Sequence, residues 1–200
     1  MKKIITILSM VLLFIGMGTP VSAQVSTFSM SKMRYTRGNV PVPPYLTVKA
    51  VPIWNTIDVF AKELGKKGCT VAENALDSYS RITLNGDFAG YNGCIFNVFG
   101  SPITKSTYMV SVQIPLPNIE MFDINYEVLY NSYVAKYGEP IDKGTPGLKF
   151  NPVIWKTEAG TIEFRGFDNP ENPHILINYK DNWGVKTRDE ESVEIIETDI

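Results

Sequence analysis

Histidine and cysteine are the scarcest chemistry in this 200-residue chain: one histidine, His174, and two cysteines, Cys69 and Cys94. No His/Cys cluster with metal-ligand spacing exists, and a general base built on His174 has no partner near it in sequence. His174 sits between Pro173 and Ile175 and reads as a partly exposed residue at the start of a strand. Serine nucleophile elbows, phosphate-binding loops and HExxH zinc helices are also missing. Basic residues are not in excess: 19 Lys and Arg stand against 21 Asp and Glu, with both signs mixed along the chain. A nucleic-acid partner is therefore not expected, since phosphate binding leaves a basic footprint. No motif here asks for a cofactor or a metal.

What is present begins with a targeting segment. Lys2 and Lys3 precede an apolar run over residues 4–15 that only Thr6 and Ser9 interrupt, and Val21-Ser22-Ala23 offers small residues for cleavage. That order is a secretory signal peptide, residues 1–23, and places the protein in the periplasm or outside the cell. The run is short for a membrane span and lacks stop-transfer flanks, so no transmembrane segment is expected in the mature chain. Losing two lysines and no acid takes the formal net charge from −2 to −4. Residues 24–45 are polar and punctuated by Pro41, Pro43 and Pro44, which reads as an arm with little secondary structure.

The remainder falls into two similar halves, residues 46–116 and 117–186, followed by an acidic tail over 187–200. Phe122, Tyr126, Leu129, Tyr133 and Tyr137 recur at steps of three or four, one face of a helix that Gly138 and Pro140 end. Phe60-Ala61-Lys62-Glu63-Leu64-Gly65-Lys66-Lys67-Gly68 lies over Tyr130-Asn131-Ser132-Tyr133-Val134-Ala135-Lys136-Tyr137-Gly138 without a gap. Asn55 or Thr56 is placed to cap the earlier helix, and residues 45–53 read as extended. Behind each helix the period changes to two. Ile82 and Leu84, Phe96 and Val98, and Val110, Val112 and Ile114 alternate with more polar neighbours. Strands over 153–157, 161–165 and 175–179 follow in the second half, with Phe96 and Val98 matching Ile162 and Phe164. The fold class is α+β: a tandem repeat of helix plus antiparallel strands, the helices on one face of sheets that join or abut.

These residues carry a resemblance. A helix closing on Lys136-Tyr137-Gly138-Glu139-Pro140, a strand with Trp155, a restart at Gly160-Thr161-Ile162 and a strand ending Asn178-Tyr179-Lys180-Asp181 form one copy. Val51-Pro52-Ile53, Lys67-Gly68 and Leu84-Asn85-Gly86-Asp87-Phe88-Ala89-Gly90 mark the other. Together, over residues 46–181, they resemble exported bacterial proteins of the β-lactamase-inhibitor-protein-like tandem-repeat class. The resemblance implies paired helix-plus-sheet modules whose uncovered sheet face binds another protein. It does not imply inhibition of a β-lactamase, because no inhibitory loop is evident and one fold hosts many roles.

Three sets of residues compete for function. Cys69 and Cys94 either form a disulfide, worth roughly 3 kcal/mol by loop closure, or stay buried as small apolar thiols. Glu158 with Glu163, or Asp168 with Glu171, would be the carboxylates of an enzyme acting on an envelope polymer, though solvated charges are the simpler reading. Ile95, Phe99, Met109, Trp155 and Leu176 fall on the opposite strand side from the residues facing the helices, and such exposed apolar groups mark binding surfaces. The expected function is thus a non-enzymatic exported module that binds another protein. A carboxylate enzyme and a self-associating envelope component are the alternatives. Export has a direct check: intact mass of the exported protein should begin at Gln24, and Met1 retained in a cytosolic fraction would overturn it.

Overall fold

Period-two alternation over residues 81–115 and 153–181 becomes six strands of one antiparallel sheet. They are β4 (Arg81–Phe88), β5 (Tyr91–Gly100), β6 (Thr107–Pro115), β7 (Val153–Lys156), β8 (Gly160–Phe167) and β9 (His174–Asp181). A seventh, β3 (Thr70–Glu73), pairs with β4, and the order across the sheet is β3-β4-β5-β6-β9-β8-β7. This computed structural model describes residues 45–73, 80–145 and 147–198. The expected signal peptide and all but the last residue of the polar arm lie outside them. Among the described residues there are three α-helices: α1 (Ile57–Gly65), α2 (Phe122–Tyr137) and α3 (Asn182–Thr198). The architecture is mixed α+β, and none of these helices is long and apolar enough to cross a membrane.

One pleat of the sheet is buried almost completely. Leu84, Phe96, Val98, Val110, Val112, Ile114, Ile162, Phe164, Ile175 and Ile177 are each fully excluded from solvent. Helix α1 buries Ile57, Phe60, Ala61 and Leu64, and α2 buries Phe122, Tyr126, Leu129 and Tyr133, spacings that put each set on one helical face. The α2 face is aromatic: Tyr126 meets Phe164 edge-on at 5.0 Å, and Tyr133 lies 5.7 Å from both Phe164 and Trp155. Such tilted and edge-to-face pairs add to simple area burial.

Glycines set how closely the helices approach. A Cβ on Gly100 would lie 2.7 Å from Ile57 Cγ2 at the start of α1, and one on Gly166 would lie 2.6 Å from Phe122 Cζ at the start of α2. Helix α2 stops at Gly138, whose φ of +80° favours glycine. Its carbonyl accepts the Trp155 indole N–H at 2.8 Å, which ties the helix end to β7. The start of α1 departs from expectation. Thr56 occupies the cap position without a side-chain cap bond. The Ile57 N–H instead donates to the Lys105 carbonyl at 2.9 Å, so a loop from across the fold does the capping.

Residues 45–53, expected as one extended segment, make a hairpin of β1 (Thr47–Val48) and β2 (Val51–Pro52). Its two turn residues, Lys49 and Ala50, have φ of +50° and +61°. The sequence hides this turn because neither residue is the Gly or Asn that such a turn favours. The hairpin lays Leu46, Val48, Val51 and Ile53 onto the core.

The tail is also continuous where a boundary at 187 was expected, since α3 begins directly at the end of β9. Asp181 explains the junction. Its carboxylate, wholly buried, accepts the Trp183 and Gly184 N–H groups at 3.0 and 3.2 Å as a helix cap, and the Leu46 N–H at 3.2 Å. Desolvation raises its pKa from 3.8 to about 6, although the three N–H bonds pull the other way. A carboxyl held above its unfolded value contributes stability that is complete below 3.8 and lost as pH rises through about 6. Asp181→Asn keeps a neutral acceptor at every pH. The stability of wild type relative to this variant should fall by on the order of 2 kcal/mol between about pH 4 and pH 7, measured by urea unfolding. A difference that grows with pH would overturn the account.

Candidate functional site

Register places the outer pleat of the sheet in rows that cross five or six strands. One row runs Arg81, Phe99, Met109, Lys180, Thr161, Lys156. The next runs Thr83, Asn97, Ser111, Asn178, Glu163, Ile154, and a third runs Asn85, Ile95, Gln113, Leu176, Arg165. Most of these side chains are half-buried, in contrast to the sealed inner pleat. Alternation alone produces this division, since each inner residue is flanked by two outer ones.

Four of the five residues expected on this face are there. Phe99 and Met109 are direct cross-strand partners, and the Phe99 ring lies 6.3 Å from Tyr108. Ile95 and Leu176 flank Gln113 four positions further along the strands. The apolar groups therefore form two small clusters, with the Asn97, Ser111 and Asn178 row between them. Polar contacts knit that row together. Thr83 Oγ1 donates to Asn97 Oδ1 at 2.8 Å, and Asn178 Nδ2 donates to Glu163 Oε2 at 3.4 Å.

Trp155 is the fifth, and its expected orientation is wrong. It is 1% exposed, pairs with inward-facing Ile162 and packs between Tyr133 and Phe164. Leu84 pairs with Phe96, and Phe96 was matched to Ile162, so Leu84 corresponds to Trp155 rather than to Ile154. A slip of one residue in that alignment reverses every side chain of the strand. Ile154, not Trp155, is on the outer pleat.

The carboxylate expectation changes as well. Glu163 faces outward but its side chain is only 13% exposed, held by Lys180 Nζ at 2.5 Å and Arg165 at 3.4 Å. Burial would raise its pKa, yet the Lys180 hydrogen bond and charge, Asn178 and Arg165 outweigh it and hold the group below its ordinary range. Glu163 is thus a fixed, ionised acceptor on the second strand from the β7 edge and not a group poised to deliver a proton. His174 opens β9 and stacks on Phe167 at 4.6 Å, consistent with a strand-end role.

Cys69 and Cys94 are buried free thiols. Cys69 precedes the Thr70 that pairs with Asn85 on β4, while Cys94 on β5 pairs with Gly86, so β4 runs between them. The Cys69 sulfur occupies the space over Gly86, where a Cβ would lie 2.8 Å from it. Burial raises both thiols above their ordinary pKa, which leaves them poor nucleophiles.

No protein-family model, curated protein or solved structure matches the chain. The corrected role of Trp155 has a direct test. Trp155→Ala should cost about 3–5 kcal/mol in chemical unfolding, the usual range for emptying a large aromatic site. A loss below about 1 kcal/mol would return the residue to the surface.

Proposed function

We propose that the protein is an exported, non-enzymatic binding module that engages another protein through the outer pleat of its sheet. The observation that carries this reading is the half-buried mosaic of Phe99, Met109, Ile95 and Leu176 across β5, β6 and β9, with ion-paired Glu163 beside it on β8. Apolar anchors near the centre of a patch with ordered polar groups between them are the usual anatomy of a protein interface. Lys180 and Arg165 both answer Glu163, so this cluster carries net positive charge and favours a partner with an acidic patch.

We also infer that the chain is a tandem repeat of the β-lactamase-inhibitor-protein-like kind. Two features support it. Outward from the β6–β9 seam, β5 and β4 on one side mirror β8 and β7 on the other, with β3 added beyond β4. Gly100 and Gly166, in the middle strand of each half, both lie beneath the first residue of that half's helix. In this reading two copies joined edge to edge supply one wide surface that neither has alone.

The test is capture. Purified protein is used to recover partners from the native envelope, and the recovered protein is then titrated directly against wild type and Phe99→Ala/Met109→Ala. Affinity should drop by about 2 kcal/mol or more, the range of a central anchor. Added salt should weaken it further, and the unfolding midpoint should change little. Unchanged affinity in the variant would overturn the outer pleat as the interface.

A further inference from the structure

The helix-bearing side of the molecule holds a second recognition feature. The β1–β2 turn, the β4–β5 turn and α2 enclose a cleft of about 530 Å³, within the span of small-ligand sites. Three of the five non-glycine residues with positive φ among the described residues line it: Lys49, Ala50 and Ala89, at +50°, +61° and +53°. An alanine in the left-handed region costs free energy that glycine would not, and such strain collects at ligand sites. The rim is also fixed. Lys49 Nζ donates to the Asp87 carbonyl at 2.7 Å, joining one turn to the other hairpin. The Tyr91 hydroxyl donates to Asn125 Oδ1 at 2.8 Å, joining that hairpin to α2.

The chemistry of the lining is lopsided. Along α2 the cleft runs from Asn125 to Lys136, about 16 Å at 1.5 Å per residue. Val128, Leu129 and Phe88 give apolar walls in its first part. At the other end are Lys136 and, one turn before it, Tyr133, whose hydroxyl meets that of Tyr179 at the floor. Both tyrosines are more than nine-tenths buried. Two hydroxyls sharing one hydrogen bond leave a second proton unspent, and a buried donor without an acceptor is costly. Among the described residues, Lys49 and Lys136 line the cleft and no carboxylate does.

We propose that this cleft binds a small amphipathic carboxylate, its apolar body along Val128 and Leu129 and its head at the Tyr133–Tyr179 hydroxyls beside Lys136. One hydroxyl donor and one ammonium match the two oxygens of a carboxylate; a phosphate would ask for more donors. The site is separate from the outer pleat and stands whether or not that face binds a protein.

Calorimetric titration with sodium decanoate, set against 1-decanol of equal chain length, tests it. Decanoate should bind saturably at one site, about tenfold or more tighter than decanol, since the head contributes a charge-assisted contact. Ser132→Trp, a change at an exposed helix position that fills the cleft, should abolish binding of both. Lys136→Glu should weaken decanoate by about tenfold or more and leave decanol unchanged. Non-saturating heats with wild type, or wild-type binding by both variants, would overturn the site. Equal affinity for decanoate and decanol would overturn the carboxylate assignment.

Discussion

The pairing of β6 with β9 is the contact on which the rest of the molecule depends. Seven residue pairs, from Met109 with Lys180 to Pro115 with His174, join a four-stranded half to a three-stranded half. Separated, each half would have one amphipathic helix on a small sheet and would bury too little apolar surface to stand alone. Joined, they give Val112 and Ile177 neighbours from both halves, and both become fully buried. The seam also removes two sheet edges, each of which would otherwise present unpaired backbone groups.

The end of the seam is where the chain concentrates its buried polar chemistry. Asp181 closes β9, caps α3 and receives the N–H of Leu46 from the segment leading into β1. Gly184 then lets α3 lie against β6 so closely that a Cβ there would approach the Thr107 carbonyl to 2.3 Å. Gly160 has the same office under Leu46, with a Cβ 2.1 Å from the Lys180 carbonyl. Two segments 135 residues apart therefore meet at one carboxylate. The position of the β1–β2 turn over the cleft follows from that anchorage, since the hairpin has only two residues in each strand to hold it.

Much of this was legible in the sequence because alternation and helical spacing are local properties. The inner pleat, the buried face of α2 and the left-handed Gly138 follow from spacing and from a glycine two residues before a proline. The turn at Lys49-Ala50 was not legible, because its left-handed residues are held by tertiary burial of Leu46, Val48, Val51 and Ile53 rather than by turn-forming side chains. Trp155 was misplaced because a similarity carried through a helix does not fix the phase of the strand beyond the loop. The cysteines were ambiguous because spacing along the chain says nothing about an intervening strand. The cleft was invisible for the same reason: its walls come from two turns and a helix that only the folded sheet brings together.

The two faces of the sheet differ in shape for one geometric reason. The outer pleat is broad and presents side chains from six strands, a surface without a pocket among the described residues. The helix side is concave wherever a helix and a hairpin tip diverge, and concavity lets a few residues surround a small molecule. Because successive strand residues point to opposite faces, Asn178 and Lys180 serve the outer network while Tyr179 between them reaches the cleft floor. Change on one face therefore leaves the other nearly intact, except at the backbone they share. Displacement of β9, or of the β4–β5 hairpin, is a structural event that both surfaces would register.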